Sequence, residues 1–501
     1  MKWNRWQHLT IAGALLGLLA GCTERNIPTA PSTRPLASAT AGDGGSLVEL
    51  SRPNAVGTCD DGFASAAWSI DEAEEPSVAV NPVRPGNIVA AWIQGPFQNI
   101  VAAASFDGGQ SWQRVPVPLT TCAGGQFLIA GDVWLSFAPD GILYGIALAG
   151  NALSAVLPEV LKSTDGGLHW TASVPPGSSN VDPPADHPSV TADPFNASFV
   201  YAIWDGSKAP HTGAAVFSRT TDGGSTWEPA RALVEMASQS FIQFSQILVL
   251  PNGALVDLYE VYVQQPNGPI TQTTLQLLRS TDHGQSWSIP VNAVAMTPLY
   301  RPDGETLVID PETGQFIQDP TNPSFSVDMQ NGNLFAVWED GRFSNFQYND
   351  IAFTMSADGG ASWSTPIRVN QTPLDIPAAN RQSFLPSVAV AANGTIGVSY
   401  YDFRLNDPNP GLRTDRWLVR CHPGPNSTAT DPACWTSEAR LTSSSFNIES
   451  VAPNFTSVTP DFAGAFFLGD YFGLASAKND FVATFTQPDG GNVTSVFFAR
   501  R

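Results

Sequence analysis

The chain has 501 residues, 45 acidic against 24 basic side chains, and a formal net charge of −21 at pH 7. So negative a surface repels phosphate backbones and anionic lipid, which excludes nucleic acid and electrostatically held membrane as partners. Gly and Pro number 43 and 41, a composition suited to many short strands and turns rather than long helices.

The first element in chain order is an export signal. Lys2 and Arg5 precede an apolar run over 9–19, about eleven residues where a membrane span needs roughly twenty. "LAGC" (19–22) resembles the bacterial lipobox. That resemblance implies cleavage after residue 21 and a lipid-bearing Cys22, so the membrane is engaged through lipid only. Thr23 is not the aspartate associated with inner-membrane retention, so the expected location is extracytoplasmic, on the outer membrane in a Gram-negative cell. An ordinary secretory signal is the alternative. Residues 22–46 are poor in large apolar side chains and rich in Pro, Ser, Thr and Ala, and are expected to form a flexible tether. Residues 47–501 remain for the folded domain.

Beyond Cys22 there are four cysteines, an even number that predicts disulfides in an exported chain. Three pairings are open. Cys421–Cys434 is favoured because the two bracket one short loop, and Cys59–Cys122 follows. No CxxC or HxxxH spacing supports zinc, and no metal site is predicted.

Five octets then recur: "SFDGGQSW" (105–112), "STDGGLHW" (163–170), "TTDGGSTW" (220–227), "STDHGQSW" (280–287) and "SADGGASW" (356–363). Their aspartates stand at 107, 165, 222, 282 and 358, about 57–60 residues apart before one longer gap. Such a period predicts a repeat fold. Each unit carries an alternating strand, a Pro/Asn/Gly turn and a second strand ending in an aromatic, as in "PSVAVNPVRPGNIVAAW" (76–92). A third strand leads into the Asp turn and a short fourth follows it. Four antiparallel strands per period predict the blade of a β-propeller. Within the octet, the Asp side chain is expected to accept backbone N–H groups, the glycines to take positive φ and the Trp to pack back on the sheet.

The octet resembles the Asp-box, or BNR repeat, S-x-D-x-G-x-x-W, of sialidases and related propellers. The structural residues of the resemblance are Asp107, Trp112, Asp165, Trp170, Asp222, Trp227, Asp282, Trp287, Asp358 and Trp363. It implies an all-β propeller with the boxes between strands three and four, on the face away from the active site. Two units lack the box. In 415–442 the Cys421–Cys434 loop stands in its place, and 469–501 supplies three strands, with "LVELS" (47–51) predicted to complete them from the N-terminus. Seven blades are therefore expected, with the six of sialidase catalytic domains as the alternative.

Chemistry is then expected on the face opposite the turns. Glu75, Asp132, His187, Phe244, Asn322, Leu385 and Asp470 form a column just before the first strands, while "WEDGRF" (338–343) and "YYDFRL" (400–405) repeat Asp-x-Arg after the second. The sialidase resemblance implies an arginine triad on a sugar carboxylate. The candidates are Arg342, Arg381 and Arg404, with Arg301 on a connection to the same face. It further implies Tyr401 as nucleophile, Glu339 as its base and Asp186 or Glu75 as acid. From the column, His187 and Asp470 are expected to bind substrate; His187 could also serve as acid/base, a hydrogen-bonded histidine at the channel mouth being the alternative. The alternative is that Asp340–Arg342 and Asp402–Arg404 are structural ion pairs. The chain departs from the family in lacking its F/Y-R-I-P motif before the first box. "DFRLNDPNPG" (402–411) offers oxygen ligands for Ca²⁺ without EF-hand spacing, and a turn is the alternative there. The expected function is thus a glycan-acting or glycan-binding propeller, an acidic sugar being the ligand for clustered arginines. The rival reading is a non-catalytic scaffold that binds a protein partner.

Overall fold

A computed structural model describes residues 38–40, 46–59, 69–95, 98–173, 175, 185–208, 212–236, 239–265, 270–300, 308–314, 316–318, 322–424, 427–451, 466–488 and 494–501. The signal, Cys22, Arg301 and nearly all of the tether lie outside these residues. The fold is all-β, and among the described residues the only helical pieces are single 3-10 turns.

The strands form successive antiparallel sheets, designated A to G in chain order, each of four strands except F and G, which gain a fifth from Phe446–Asn447 and Ser38–Thr40. Sheet A comprises Ala73–Val80, Ile88–Gln94, Asn99–Ser105 and Gln113–Pro116, and B comprises Ile129–Phe137, Leu143–Gly150, Leu157–Ser163 and Thr171–Ser173. Sheet C holds Asp186–Ala192, Val200–Lys208, Thr212–Thr220 and Arg231–Glu235, and D holds Ser240–Val249, Leu255–Gln264, Ile270–Ser280 and Val291–Met296. Ser324–Val327, Leu334–Asp340, Asp350–Ser356 and Ile367–Arg368 make E, while Ser383–Val390, Ile396–Asp402, Arg413–Cys421 and Ser437–Arg440 make F. In G, Gly473–Ala477, Asp480–Pro488 and Thr494–Arg500 are joined by Ser46–Glu49, with Leu47 opposite Ala499. A small sheet of Val308–Ile309, Phe316–Gln318 and Phe466–Phe467 has no counterpart in the sequence reading.

Alternation along each strand puts apolar side chains on both sheet faces, and neighbouring sheets bury them against one another. Separate apolar clusters lie between A and B, B and C, C and D, D and E, E and F, and F and G. A further cluster joins Val482, Val496 and Phe498 of G to Ile88, Trp92 and Trp112 of A. The aromatics that end the second strands, Trp92, Trp204, Tyr259, Trp338 and Tyr400, are fully buried in these interfaces. Each large apolar side chain so buried stabilises the fold by about 1.5–3 kcal/mol.

The five Asp turns share the bonds of their first serine or threonine and of their aspartate, and the first two add one from the Trp indole. In the first, Gly109 N–H donates to Ser105 Oγ (2.8 Å), Ser111 N–H donates to Asp107 Oδ1 (2.9 Å), and Trp112 Nε1–H donates to the Gly109 carbonyl (3.0 Å). The same serine or threonine and aspartate contacts recur at Asp165, Asp222, Asp282 and Asp358. Gly108 and Gly109 take φ of 78° and 95°, and His283 takes the place of the first glycine at φ 55°. Sheet F has no such turn. Cys421, at the end of its third strand, is bonded to Cys434, and Cys59 is bonded to Cys122, which is the expected pairing.

The first strands carry the feature that sets the site. Glu75, Asp132, His187, Phe244 and Leu385 all have positive φ, between 40° and 59°, and each sits where the pairing to the second strand shifts register. These residues were expected just before the strands. They lie inside them, as the extra residue of a β-bulge. The pairing also fixes which end they occupy: Glu74 is opposite Ile93, itself opposite Ile100, whereas Val80 is opposite Ile88, itself opposite Ser105 of the Asp turn. Bulge and turn therefore stand at opposite ends of the same strands.

The turn carboxylates give a pH signature. The Thr226 hydroxyl and N–H, with the Thr220 hydroxyl, push the Asp222 carboxyl down to about 2. A depressed folded value means stabilisation that is complete above the ordinary carboxylate range, near pH 4, and lost as pH falls toward 2. Asp222→Asn should lower the thermal midpoint by a constant amount above about pH 4.5. Parent and variant should converge near pH 2 in a series of melts, and a gap that widens on acidification would contradict the assignment.

Candidate functional site

The bulges of sheets A, B and C, with the connection into G, bring Glu75, Asp132, His187 and Asp470 together. His187 Nδ1 is 3.1 Å from Asp205 Oδ2 and 3.7 Å from Asp186 Oδ2, and its Nε2 is 3.8 Å from Asp470 Oδ2. Glu75 Oε1 accepts the Asp470 N–H at 3.1 Å. Glu75, Asp132, His187, Asp205 and Asp470 are all buried, while the Asp186 side chain is about a quarter exposed. Beside them lies a cavity with ≈ 50 Å³ available to water molecules, room for roughly three or four waters. His187, Asp470, Asn322, Trp134, Phe244 and Tyr471 contribute to its walls.

The electrostatics follow from burial and crowding. Desolvation first, then the Asp186 carboxyl, push Asp132 up to about 8. Glu75 is raised well above the carboxylate range by desolvation and by Asp132 and Asp470. Burial alone would discharge His187, but Asp186, Asp205 and Asp470 outweigh it and hold the imidazole well above its ordinary value. Asp205 reaches only about 6, because its bond to His187 opposes the desolvation. Near neutral pH the cluster thus combines a protonated carboxyl at Asp132 with a His187 held toward its charged form beside the ionised Asp205. Opposed protonation states within one small volume are what proton transfer requires.

Of the residues expected to act, Glu75, Asp186, His187 and Asp470 are the ones brought together. The arginines are not. Arg342 places Nε 2.8 Å from Asp340 Oδ1 and Nη2 2.8 Å from Asp340 Oδ2, gripping its own aspartate. Arg404 does the same with Asp402 (Nε to Oδ2, 2.6 Å) and also bonds Glu438, with its guanidinium over the Trp417 ring. Arg381 donates from Nε to the Ile376 carbonyl at 2.8 Å. The structure favours the ion-pair alternative because Asp340 and Asp402 are completely buried, and each takes the nearest guanidinium, two residues along the chain. Tyr401 and Glu339 are likewise occupied elsewhere. The Tyr401 hydroxyl donates to the Thr486 carbonyl (2.7 Å), and Glu339 Oε1 accepts the Leu385 N–H (2.7 Å), so neither faces the cavity or the other.

Asp132 belongs to the column, but sequence reasoning gave it no role, and it missed Asp205, Glu260 and Tyr471 as neighbours of the site. Three of the five bulge residues precede Pro-Ser, in "EPS" (75–77), "HPS" (187–189) and "LPS" (385–387), while Asp132 and Phe244 precede Val-Trp and Ser-Gln and carry no such signal. In the loop after Asp402, Asp407 accepts the Asn409 N–H and pairs with Arg413, which is turn chemistry. Among the described residues no group of three or more His, Cys, Asp or Glu side chains is arranged to hold a metal ion.

No protein-family model matches the chain, and no curated protein matches it in sequence. Solved structures that resemble the fold include the Hadza microbial sialidase Hz136, 13% identical with a TM-score of 0.46, covering 82% of this chain and 76% of that one. A Dyadobacter fermentans protein of unknown function is 14% identical with a TM-score of 0.44, over 87% and 96% of the two chains. The α-L-arabinofuranosidase Arb93A of Fusarium graminearum is 14% identical with a TM-score of 0.42, over 87% and 94%. Likeness at this level assigns no activity to the chain.

If Arg404 is a structural partner, its loss should show in stability. Arg404→Ala leaves Asp402 and Glu438 without their cation, and breaking such a buried pair costs about 3–5 kcal/mol. Denaturant unfolding should show a loss near the lower end of that range. A variant as stable as the parent would instead return Arg404 to the ligand-binding candidates.

Proposed function

We propose that the chain is a lipid-anchored extracytoplasmic β-propeller of the sialidase-like Asp-box superfamily, acting on glycans at its axial mouth. Seven blades, closed by the N-terminal strand, are supported by the cluster joining sheet G to sheet A and by the pairing of Ser46–Glu49 with Thr494–Arg500. The shared hydrogen bonds of the five turns support the Asp-box reading. Signal, lipid on Cys22, tether and cell-envelope location rest on the sequence, and the two disulfides agree with an oxidising compartment.

The observation that carries the glycan-acting reading is the convergence of Glu75, Asp132, Asp186, His187 and Asp470 at the strand ends opposite the turns. Glycoside cleavage needs one carboxyl protonated to release the leaving oxygen and a second ionised to act as nucleophile or to activate water. Asp132 is suited to the first role by its raised value, and Asp186, at the rim, to the second. His187 holds the carboxylates in place. The cavity is too small for a sugar ring, so the ring would lie across the mouth and send one substituent inward. A second reading, binding of a protein partner, is favoured by Val83, Phe106 and Phe195, which are about half exposed at the turn end of sheets A and C.

The test is hydrolysis of a panel of fluorogenic glycosides, spanning sialosides, hexosides, pentosides and hexosaminides, by the purified protein. Asp132→Asn should lower kcat at least a hundredfold. Because the acid form is required, parent activity should fall as pH rises through about 8. No turnover of any member would defeat the enzymatic reading and leave the partner-binding one.

A further inference from the structure

The acidic-sugar expectation depended on free arginines, and the cavity has the opposite character. Glu75, Asp132, Asp186, Asp205, Glu260 and Asp470 stand in or beside its walls, against two basic groups. These are His187 and Arg416, the latter behind the Leu385–Ser387 wall, held by the Leu385 carbonyl and by Ser387 and Ser399 hydroxyls. Even with Glu75, Asp132 and Glu260 kept neutral by burial, the remaining carboxyls outnumber the cations.

Charge alone would not make a site. A second observation points to a ligand: Asn322, in the cavity wall and only 7% exposed, has neither amide atom hydrogen-bonded. The Tyr471 hydroxyl in the same wall and Glu75 Oε2 nearby also lack partners. Buried polar atoms without partners are costly to the fold. Aromatic rings complete the enclosure. Trp134 and Tyr471 meet edge to face at 6.0 Å, and Phe244 lies 4.0 Å from the His187 ring. Rings, a carboxylate and an open amide carbonyl are the means by which proteins hold an organic ammonium group. A sugar carboxylate would meet repulsion on the same walls.

We infer that the axial cavity receives the ammonium group of its ligand, so that the sugar recognised at the mouth carries a free amine. This rests on the glycan reading for the sugar, and on the cavity alone for the amine.

Isothermal titration of the full mature chain, with glucosamine, N-acetylglucosamine, glucose and methylammonium as probes, tests the inference. Glucosamine should bind about tenfold more tightly than glucose or N-acetylglucosamine, the difference expected of one enclosed ammonium contact. Asn322→Leu and Trp134→Leu should each reduce that preference, and thermal melts would verify that both variants fold. N-acetylglucosamine or glucose binding as well as glucosamine would overturn the inference while leaving the glycan reading intact. Binding of methylammonium without any sugar would support the ammonium site and defeat the glycan reading instead. Binding of no probe overturns the inference.

Discussion

The structure depends on a strained residue held in place by its neighbour sheet. A non-glycine residue in the left-handed region costs about 1–3 kcal/mol, and five first strands each contain one. At two of them a carboxylate of the neighbouring sheet grips the bulge N–H. Asp205 Oδ2 of sheet C accepts from Phe244 of D, and Glu339 Oε1 of E accepts from Leu385 of F. Two residues beyond three of the bulges, and at the matching Ser324, the Pro-Ser serines bind across the interfaces. Ser77 accepts from Leu135 N–H, Ser324 accepts from Val388 N–H, and Ser189 and Ser387 donate to the Ser245 and Phe472 carbonyls. Sheets C and E therefore hold the bulges of D and F, and the serines tie A to B, C to D, E to F and F to G.

That arrangement explains why two identical-looking motifs fail as ligand clamps. Asp340 and Asp402 end their second strands in full burial, where an isolated carboxylate is untenable. Arg342 and Arg404 neutralise them within the same tight turn, and Trp338 and Trp417 donate indole N–H groups to the same carboxylates. Arginine in an acidic chain is scarce, and here the interior consumes it.

How far the sequence revealed this follows from the range of each interaction. The turns are closed by bonds spanning no more than four residues, so eight letters suffice to read them, and the Cys421–Cys434 loop is nearly as local. The pairing of Leu47 with Ala499 spans the chain, yet it was readable because "LVELS" shares the pattern of the other outer strands. The axial column was readable as a set of positions, Glu75 through Asp470. Its bulges were not, because a register shift is a property of two strands, and only three of the five leave a trace, the Pro-Ser that follows Glu75, His187 and Leu385. The direction of the arginines was unreadable for a related reason. Place in a repeat tells which end of the sheet a residue occupies, and whether its side chain turns inward is decided by the nearest unpaired charge.

Sheet D shows what the axial charges are worth to the fold. Asp257 and Glu260 are completely buried, and neither carboxylate has a hydrogen-bond partner; burial drives both toward the protonated form. Asp257 faces the apolar interface with sheet C, where Leu255, Tyr259 and Val261 of its own strand pack. An apolar side chain of similar volume would serve that interface better, since buried polar groups left unsatisfied subtract from stability. Glu260 and Asp205 lie in the field of His187. The acidic patch thus extends from the cavity wall into the second strands behind it. The bulge contacts and serine bonds between neighbouring sheets do not require so many carboxyls around a single histidine. The excess negative charge is a property of the site, carried by the fold at a cost in its own stability.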